Sequence, residues 1–220
     1  MSNPPAPDDL VVGFDLDMTL IDTAPGFRDV LTALGDELGL ELPVVELTAK
    51  LGPPLDLLLG PYVAEDRMSA AIDRFRALYP SYAVTGTPAL AGAHEAISAV
   101  SGRGGRVLVV TGKFTRNARL HLDHLALVAD HLEGEVWGVG KAAVLQREGA
   151  SIYVGDHIHD VEGALAAGVT SVSVLTGGCT RAELVDAGTD VVLESLHEFP
   201  DWLGDHLAAR AGSSADATAR

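Results

Sequence analysis

A doubly wound parallel α/β sheet carrying an inserted small α-helical cap domain is the fold class that this sequence predicts. Three observations carry the prediction. Short Val/Ile/Leu-rich runs recur at 11–14, 106–111, 151–155 and 171–175, and near-continuous apolar runs of this kind are strands buried on both faces of a parallel sheet. Amphipathic helical stretches alternate with those runs from residue 87 onward, the order expected of strand–helix–strand units. Between the first run and the second, residues 23–84 show helical periodicity and no Val/Ile-rich strand, so they read as a cap inserted behind the first strand.

Taken in order, Met1 to Asp9 is Pro-rich and acidic, reads as a loose leader, and lacks the basic-then-apolar pattern of a secretory signal. Val11-Val12-Gly13-Phe14 is the first strand. Phe27, Val30, Leu31, Leu34 and Leu38 recur at helical spacing, which predicts a helix over 26–38 ending near Gly39. Helical segments follow at 44–49 and 55–59, divided by Gly52-Pro53-Pro54, which no straight helix crosses. Met68 to Tyr79 marks another amphipathic helix, closed by Pro80. Beyond it the pattern predicts helices over 91–101, 115–127, 141–148, 159–167 and 181–187. It also predicts strands at 106–111, 135–139, 151–155, 171–175 and 190–193. The division is a core of 1–22 and 85–205, a helical cap of 23–84, and a disordered tail over 206–220 rich in small and polar residues.

Composition limits the function. The chain has 31 acidic against 15 basic residues and a formal charge of -16, which argues against nucleic acid and anionic membranes, since both need basic patches. No run approaches the roughly 18 uninterrupted apolar residues of a membrane span, and with no signal segment a cytoplasmic protein is expected. The single cysteine, Cys179, excludes an internal disulfide and agrees with a reducing compartment. Such a charge repels anionic substrates, but screening limits the repulsion to about 8 Å at physiological salt. A few local cations can therefore still hold one.

The first strand ends in Asp15-Leu16-Asp17-Met18-Thr19. Strand alternation puts Asp15 and Asp17 on one face, outside the carboxyl end of a strand, where open α/β sheets bind ligands. Taken alone, Asp-x-Asp also fits a turn. Later strand ends add Thr111-Gly112 and Gly155-Asp156-His157-Ile158-His159-Asp160, and Lys141 opens a helix after Gly138-Val139-Gly140. Through Asp-x-Asp-x-Thr, strand-Thr, Lys and Gly-Asp-x-x-x-Asp in that order, the chain resembles the haloacid dehalogenase-like hydrolase superfamily. Within it the chain is most similar to the phosphoglycolate phosphatase-like branch, over about residues 10 to 203.

The resemblance implies a Rossmann-like core and phosphoryl transfer. A carboxylate can be the nucleophile and form an aspartyl-phosphate, which falls to Asp15. Asp17 has the spacing for the acid/base group, and in the family this second Asp separates phosphatases from dehalogenases. Asp156 and Asp160 suit a hard divalent cation, Mg²⁺; Asp15 would share it, with the carbonyl of Asp17 as a further ligand by resemblance. Two unpaired carboxylates about 4 Å apart repel by roughly 4 kcal/mol at an effective dielectric near 20. Four around one cleft thus call for the three positive charges of Mg²⁺ and Lys141. Thr111 and Gly112 are positioned to bind phosphate by hydroxyl and backbone N–H, with Lys141; the alternative for Thr111 is a buried side chain satisfied by its own backbone.

Two positions depart from the family. Met18 stands where Gly is usual, and Ala142 follows Lys141 where Pro is familiar. His157 and His159 flank the acidic motif among oxygen ligands that suit Mg²⁺ rather than zinc, and His121 and His124 read as solvated. In the cap, the break Lys50-Leu51-Gly52-Pro53-Pro54 resembles a specificity loop. Lys50, and less directly Arg28, become candidates for the non-phosphate end of a substrate; a plain interhelix turn with an exposed lysine is the other reading. The expected function is a Mg²⁺-dependent phosphatase of a small phosphorylated metabolite, phosphoglycolate-like or a sugar phosphate, as monomer or homodimer. A phosphomutase or a non-catalytic binding protein on the same fold is the alternative.

Overall fold

The computed structural model of the chain describes residues 10–51 and 53–218; the leader expected at 1–9 lies outside them. Six strands form one sheet: β1 (Val11–Phe14), β2 (Arg106–Val110), β3 (His131–Glu133), β4 (Ile152–Gly155), β5 (Thr170–Val174) and β6 (Val191–Leu193). Their order is β3-β2-β1-β4-β5-β6 and every pairing is parallel. This is a doubly wound sheet whose order reverses between β1 and β4, the switch point at which such folds bind ligands.

The side-chain alternation of the strands decides which helix each face receives. Val12, Phe14, Val107, Val109, Ile152 and Val154 are buried on one face, against α5 (Ala93–Ser101), α6 (Thr115–His124) and α10 (Phe199–Thr218). Val11, Leu108, Val110 and Tyr153 turn to the other, under α7 (Lys141–Glu148) and α8 (Ile158–Ala167). A short helix, α9 (Arg181–Asp186), joins β5 to β6. Phe14 and Phe199 meet edge to face with centroids 5.4 Å apart, an arrangement that aromatic quadrupoles favour.

Behind β1 the chain leaves the sheet and builds α1 (Ala24–Leu38), α2 (Val44–Ala49), α3 (Leu55–Leu59) and α4 (Glu65–Tyr82) before returning. These helices bury their own cluster around Phe27, Leu31, Leu34, Leu59, Phe75 and Tyr79, each large side chain contributing about 1.5–3 kcal/mol. The insertion is thus a packed unit, and it meets the core chiefly through α4 and α6.

Four expectations require correction. The helix expected to close at Pro80 continues to Tyr82 with Pro80 inside it; in a last turn the missing N–H removes one bond, and the ladder resumes with Ala83 N–H donating to Tyr79 O at 2.9 Å. The strand expected at 135–139 is absent; β3 lies earlier, at His131–Glu133. Glu135 adopts φ 61 and Gly138–Gly140 forms a 3-10 turn, because left-handed backbone cannot continue a strand. The tail expected at 206–220 is helical to Thr218. Trp202 stacks on His206 at 4.9 Å, and Leu207-Ala208-Ala209-Arg210-Ala211, which follows, is a run of strong helix formers. His121, read as solvated, is fully buried between α6 and the insertion. Among the described residues no helix is long and apolar enough to cross a membrane.

Candidate active site

The site lies where β1, β2 and β4 end side by side. Asp15 leaves β1 with its N–H donating to Val154 O at 2.8 Å, which holds its carboxylate at the switch point. Lys141, first residue of α7, reaches it from the face of the sheet that α7 and α8 cover. Its Nζ donates to Asp15 Oδ1 at 3.0 Å, to Asp160 Oδ1 at 2.6 Å and to Tyr153 Oη at 2.8 Å. An ammonium has three donors, so Lys141 is fully engaged, and Tyr153 passes its own proton to Val110 O at 2.7 Å. Burial works against the charge on Lys141, but Asp15 and Asp160 outweigh it and hold the group well above its ordinary range.

Asp156 directly follows β4, and Asp160 lies in the first turn of α8. Asp160 Oδ2 accepts from the backbone N–H of Asp156 at 3.2 Å and His157 at 3.1 Å, closing a capping box with His157. Gly155 is required here: a Cβ on it would lie 2.4 Å from the Asp160 carboxyl. Gly177, in the loop after β5, is required equally, since its Cβ would fall 1.8 Å from Asp156 Oδ2. Thr19 Oγ1 donates to Asp156 Oδ1 at 2.9 Å, giving the last residue of the Asp-x-Asp-x-Thr motif a task.

Oxygen atoms of Asp15, Asp156 and Asp160 lie within 4.8 Å of one another, all buried. Burial, reinforced by Asp160 and Asp17 against the opposing Lys141, raises the Asp15 carboxyl to about 7. Burial and the neighbouring Asp160 and Asp15 push Asp156 well up also. Three carboxylates facing one ammonium leave two uncompensated negative charges, and the donors are all oxygen. The residues present therefore fit a divalent cation.

Asp17 is placed differently. Its Oδ1 accepts from Lys113 Nζ at 2.6 Å and from the hydroxyl of Thr23, the residue that opens α1. Burial alone would raise Asp17, but the charge and hydrogen bond of Lys113, with that of Thr23, hold it below its ordinary value. Lys113 lies over the Tyr79 ring at 5.0 Å, and Tyr79 Oη is 2.8 Å from His121 Nε2. Burial, with Lys113, lowers His121 to about 4, so its ring is neutral at neutral pH.

Sequence reasoning missed Lys113, Tyr79 and His121. A lysine two residues past a strand-end threonine was a usable signal for the first. Tyr79 and His121 carried none, because each sits at ordinary helical spacing and only the packing of α4 on α6 brings them together.

A cavity of about 320 Å³ opens above Asp15 and Asp17, between the core and the insertion. Thr111 and Lys141 line its floor with Gly112. Thr111 is 1% exposed and accepts from Lys113 N–H at 3.3 Å. Met18 lines the cavity with φ 58, left-handed backbone that accounts for the glycine usual at this position. Lys50 and Arg28 are exposed and do not line the cavity. The insertion's lining cation is Arg76, stacked 4.1 Å over Phe114 and 3.3 Å from Glu135.

The fold and the cleft define a class: a doubly wound α/β protein with a helical insertion behind its first strand and a carboxylate–lysine cluster at the switch point. The chain belongs to the haloacid dehalogenase-like hydrolases, whose family model matches residues 12–165; a second, HAD-hydrolase-like model matches 141–199. Phosphoglycolate phosphatase of Rhodospirillum rubrum is 31% identical over 87% of this chain and 89% of its own length. That of Caulobacter vibrioides is 28% identical over 86% and 88%. A haloacid dehalogenase-like family hydrolase from Streptococcus pneumoniae superposes with a TM-score of 0.78 at 21% identity, covering 89% of this chain and 98% of that one.

Proposed function

We propose that this protein is a magnesium-dependent phosphatase that hydrolyses a small phosphomonoester through an aspartyl-phosphate on Asp15. The observation that carries the reading is the convergence of Asp15, Asp17, Lys141 and Thr111 on one cavity beside a buried three-carboxylate cluster. Asp15, Asp156 and Asp160 would hold the cation, with the Asp17 carbonyl as a further ligand. When bound, the cation neutralises charge on the transferring phosphoryl group.

The remaining chemistry belongs to the chain. Lys141 and Thr111 orient the phosphoryl oxygens. A carboxylate oxygen of Asp15 attacks phosphorus and the bond to the ester oxygen breaks. The Asp17 carboxyl gives its proton to the departing oxygen. Water then attacks phosphorus, its proton passes to Asp17, and the bond to Asp15 breaks to release inorganic phosphate. Lys113 keeps Asp17 ionised before substrate arrives. A phosphate group entering the same cleft opposes that by like charge, so the proton is taken up along with the substrate. The helical insertion acts as the cap that excludes water during transfer.

Inorganic phosphate release from a panel of phosphate monoesters, with added Mg²⁺ and after EDTA, tests this. Release that depends on Mg²⁺ and disappears in Asp15→Asn is expected. An Asp15→Asn protein with undiminished turnover removes the nucleophile and the proposal with it.

A further inference from the structure

The two ends of the cavity differ in chemistry. Its floor is polar, but the walls above it are Phe27, Leu58, Ile72 and Phe75 from the insertion, with Phe114 and Trp137 from the core. Phe27 and Phe75 meet edge to face at 5.6 Å and belong to the insertion's packed cluster. Phe114 and Trp137 differ, because both remain partly exposed, and they are exposed into the cavity. Large apolar side chains left open in a concave site are the usual lining for an apolar ligand body.

Each cation of the cavity already faces an anion of the chain. Lys141 is held by Asp15 and Asp160, Lys113 by Asp17, and Arg76 by Glu135 and the Phe114 face. His159 Nδ1 is 2.7 Å from Glu162, and His157 Nδ1 accepts from the His159 N–H at 3.2 Å. Asp56 and Glu135 add negative charge to the upper part. A leaving group with its own carboxylate would give up hydration there and meet, in the upper part, Arg76 alone, whose charge Glu135 and Asp56 oppose.

Building on the phosphatase reading, we propose that the substrate is the phosphate monoester of an uncharged alcohol with a flat apolar or aromatic body, not of a short hydroxy acid such as glycolate. The phosphoryl group occupies the polar floor, and the ring lies between Ile72 and Phe75 of the insertion and Phe114 and Trp137 of the core. This assignment departs from the substrate named for the two phosphoglycolate phosphatase relatives.

Benzyl phosphate and phosphoglycolate are both esters of simple alcohols, so comparing them limits the influence of leaving-group reactivity. With Mg²⁺ present, kcat/KM for benzyl phosphate should exceed that for phosphoglycolate by about tenfold or more, the scale on which apolar pockets discriminate. Ile72→Arg, which adds a cation to the wall, should lower the ratio, and Trp137→Ala should raise KM for benzyl phosphate more than for phosphoglycolate. Equilibrium binding of the non-hydrolysable benzylphosphonate and phosphonoacetate separates the two readings. Tighter benzylphosphonate binding without turnover of any ester overturns the phosphatase reading and upholds the cavity assignment. Turnover with phosphoglycolate preferred, or tighter phosphonoacetate binding, overturns the substrate assignment.

Discussion

Lys113 Nζ lies 2.6 Å from Asp17 Oδ1, although 96 residues separate them in the chain. The contact ties the end of β2 to the loop after β1, at the point where Thr23 starts the insertion. It also sets the protonation of the residue assigned to acid/base work. Asp17→Asn should therefore lower kcat by about 10² to 10⁴, the range general acid/base groups supply. Lys113→Met removes the positive charge that depresses Asp17, so the pH limb due to Asp17 in a kcat/KM profile should move to higher pH. A limb that stays in place assigns that titration to another group.

The carboxylate cluster should make stability depend on pH and on metal in linked ways. The Asp15 carboxyl is raised from 3.8 to about 7, so in metal-free protein its favourable contribution is complete below about pH 3.8 and lost as pH rises towards 7. On the proposed reading, Mg²⁺ would take the same oxygens as these protons. Its stabilisation, read as a shift in Tm by calorimetry, should be larger at pH 8 than at pH 5, and EDTA should abolish it.

Lys141, to which the proposed mechanism gives the phosphate, should also be a stability residue. Removing one partner of a buried ion pair leaves uncompensated charge, at a cost of about 3–5 kcal/mol. Lys141→Met strands Asp15 and Asp160 together, so its urea midpoint should drop markedly. Adding Asp160→Asn to that variant should recover part of the loss.

His121 predicts an acid-side weakening of the contact between insertion and core. Its pKa falls from 6.5 to about 4 because the ring is buried beside Lys113. A depressed histidine contributes stability present above about pH 6.5 and lost as pH falls towards 4. His121→Gln can keep a hydrogen bond to Tyr79 but cannot titrate, so its stability between pH 7 and pH 4 should fall less steeply than that of the wild type.

Most of the architecture was legible in one dimension because parallel strands and amphipathic helices write their periods into the chain. The helices Val44–Ala49, Leu55–Leu59 and Lys141–Glu148 occupy the bounds their patterns indicate. The features that periodicity misread depend on particular contacts or backbone angles. Pro80 is carried inside α4, Glu135 turns left-handed where a strand was expected, and α10 extends through a segment whose composition resembles a tail.

The sequence by itself determined the sheet, the insertion and the approach of Asp15, Thr111, Lys141, Asp156 and Asp160 to one cleft, because each stands at or just beyond the end of a strand or the start of a helix. A doubly wound sheet gathers such termini at its switch point whatever the detailed packing. Only the tertiary structure decided which cations face which anions. Lys50 and Arg28 are exposed and do not line the cavity, Arg76 reaches it, and Lys113 rather than solvent holds Asp17. The placing of Arg76 rests on how α4 docks on α6, and that of Lys113 on how the end of β2 meets the loop after β1; contacts between segments distant in the chain leave no period in either one.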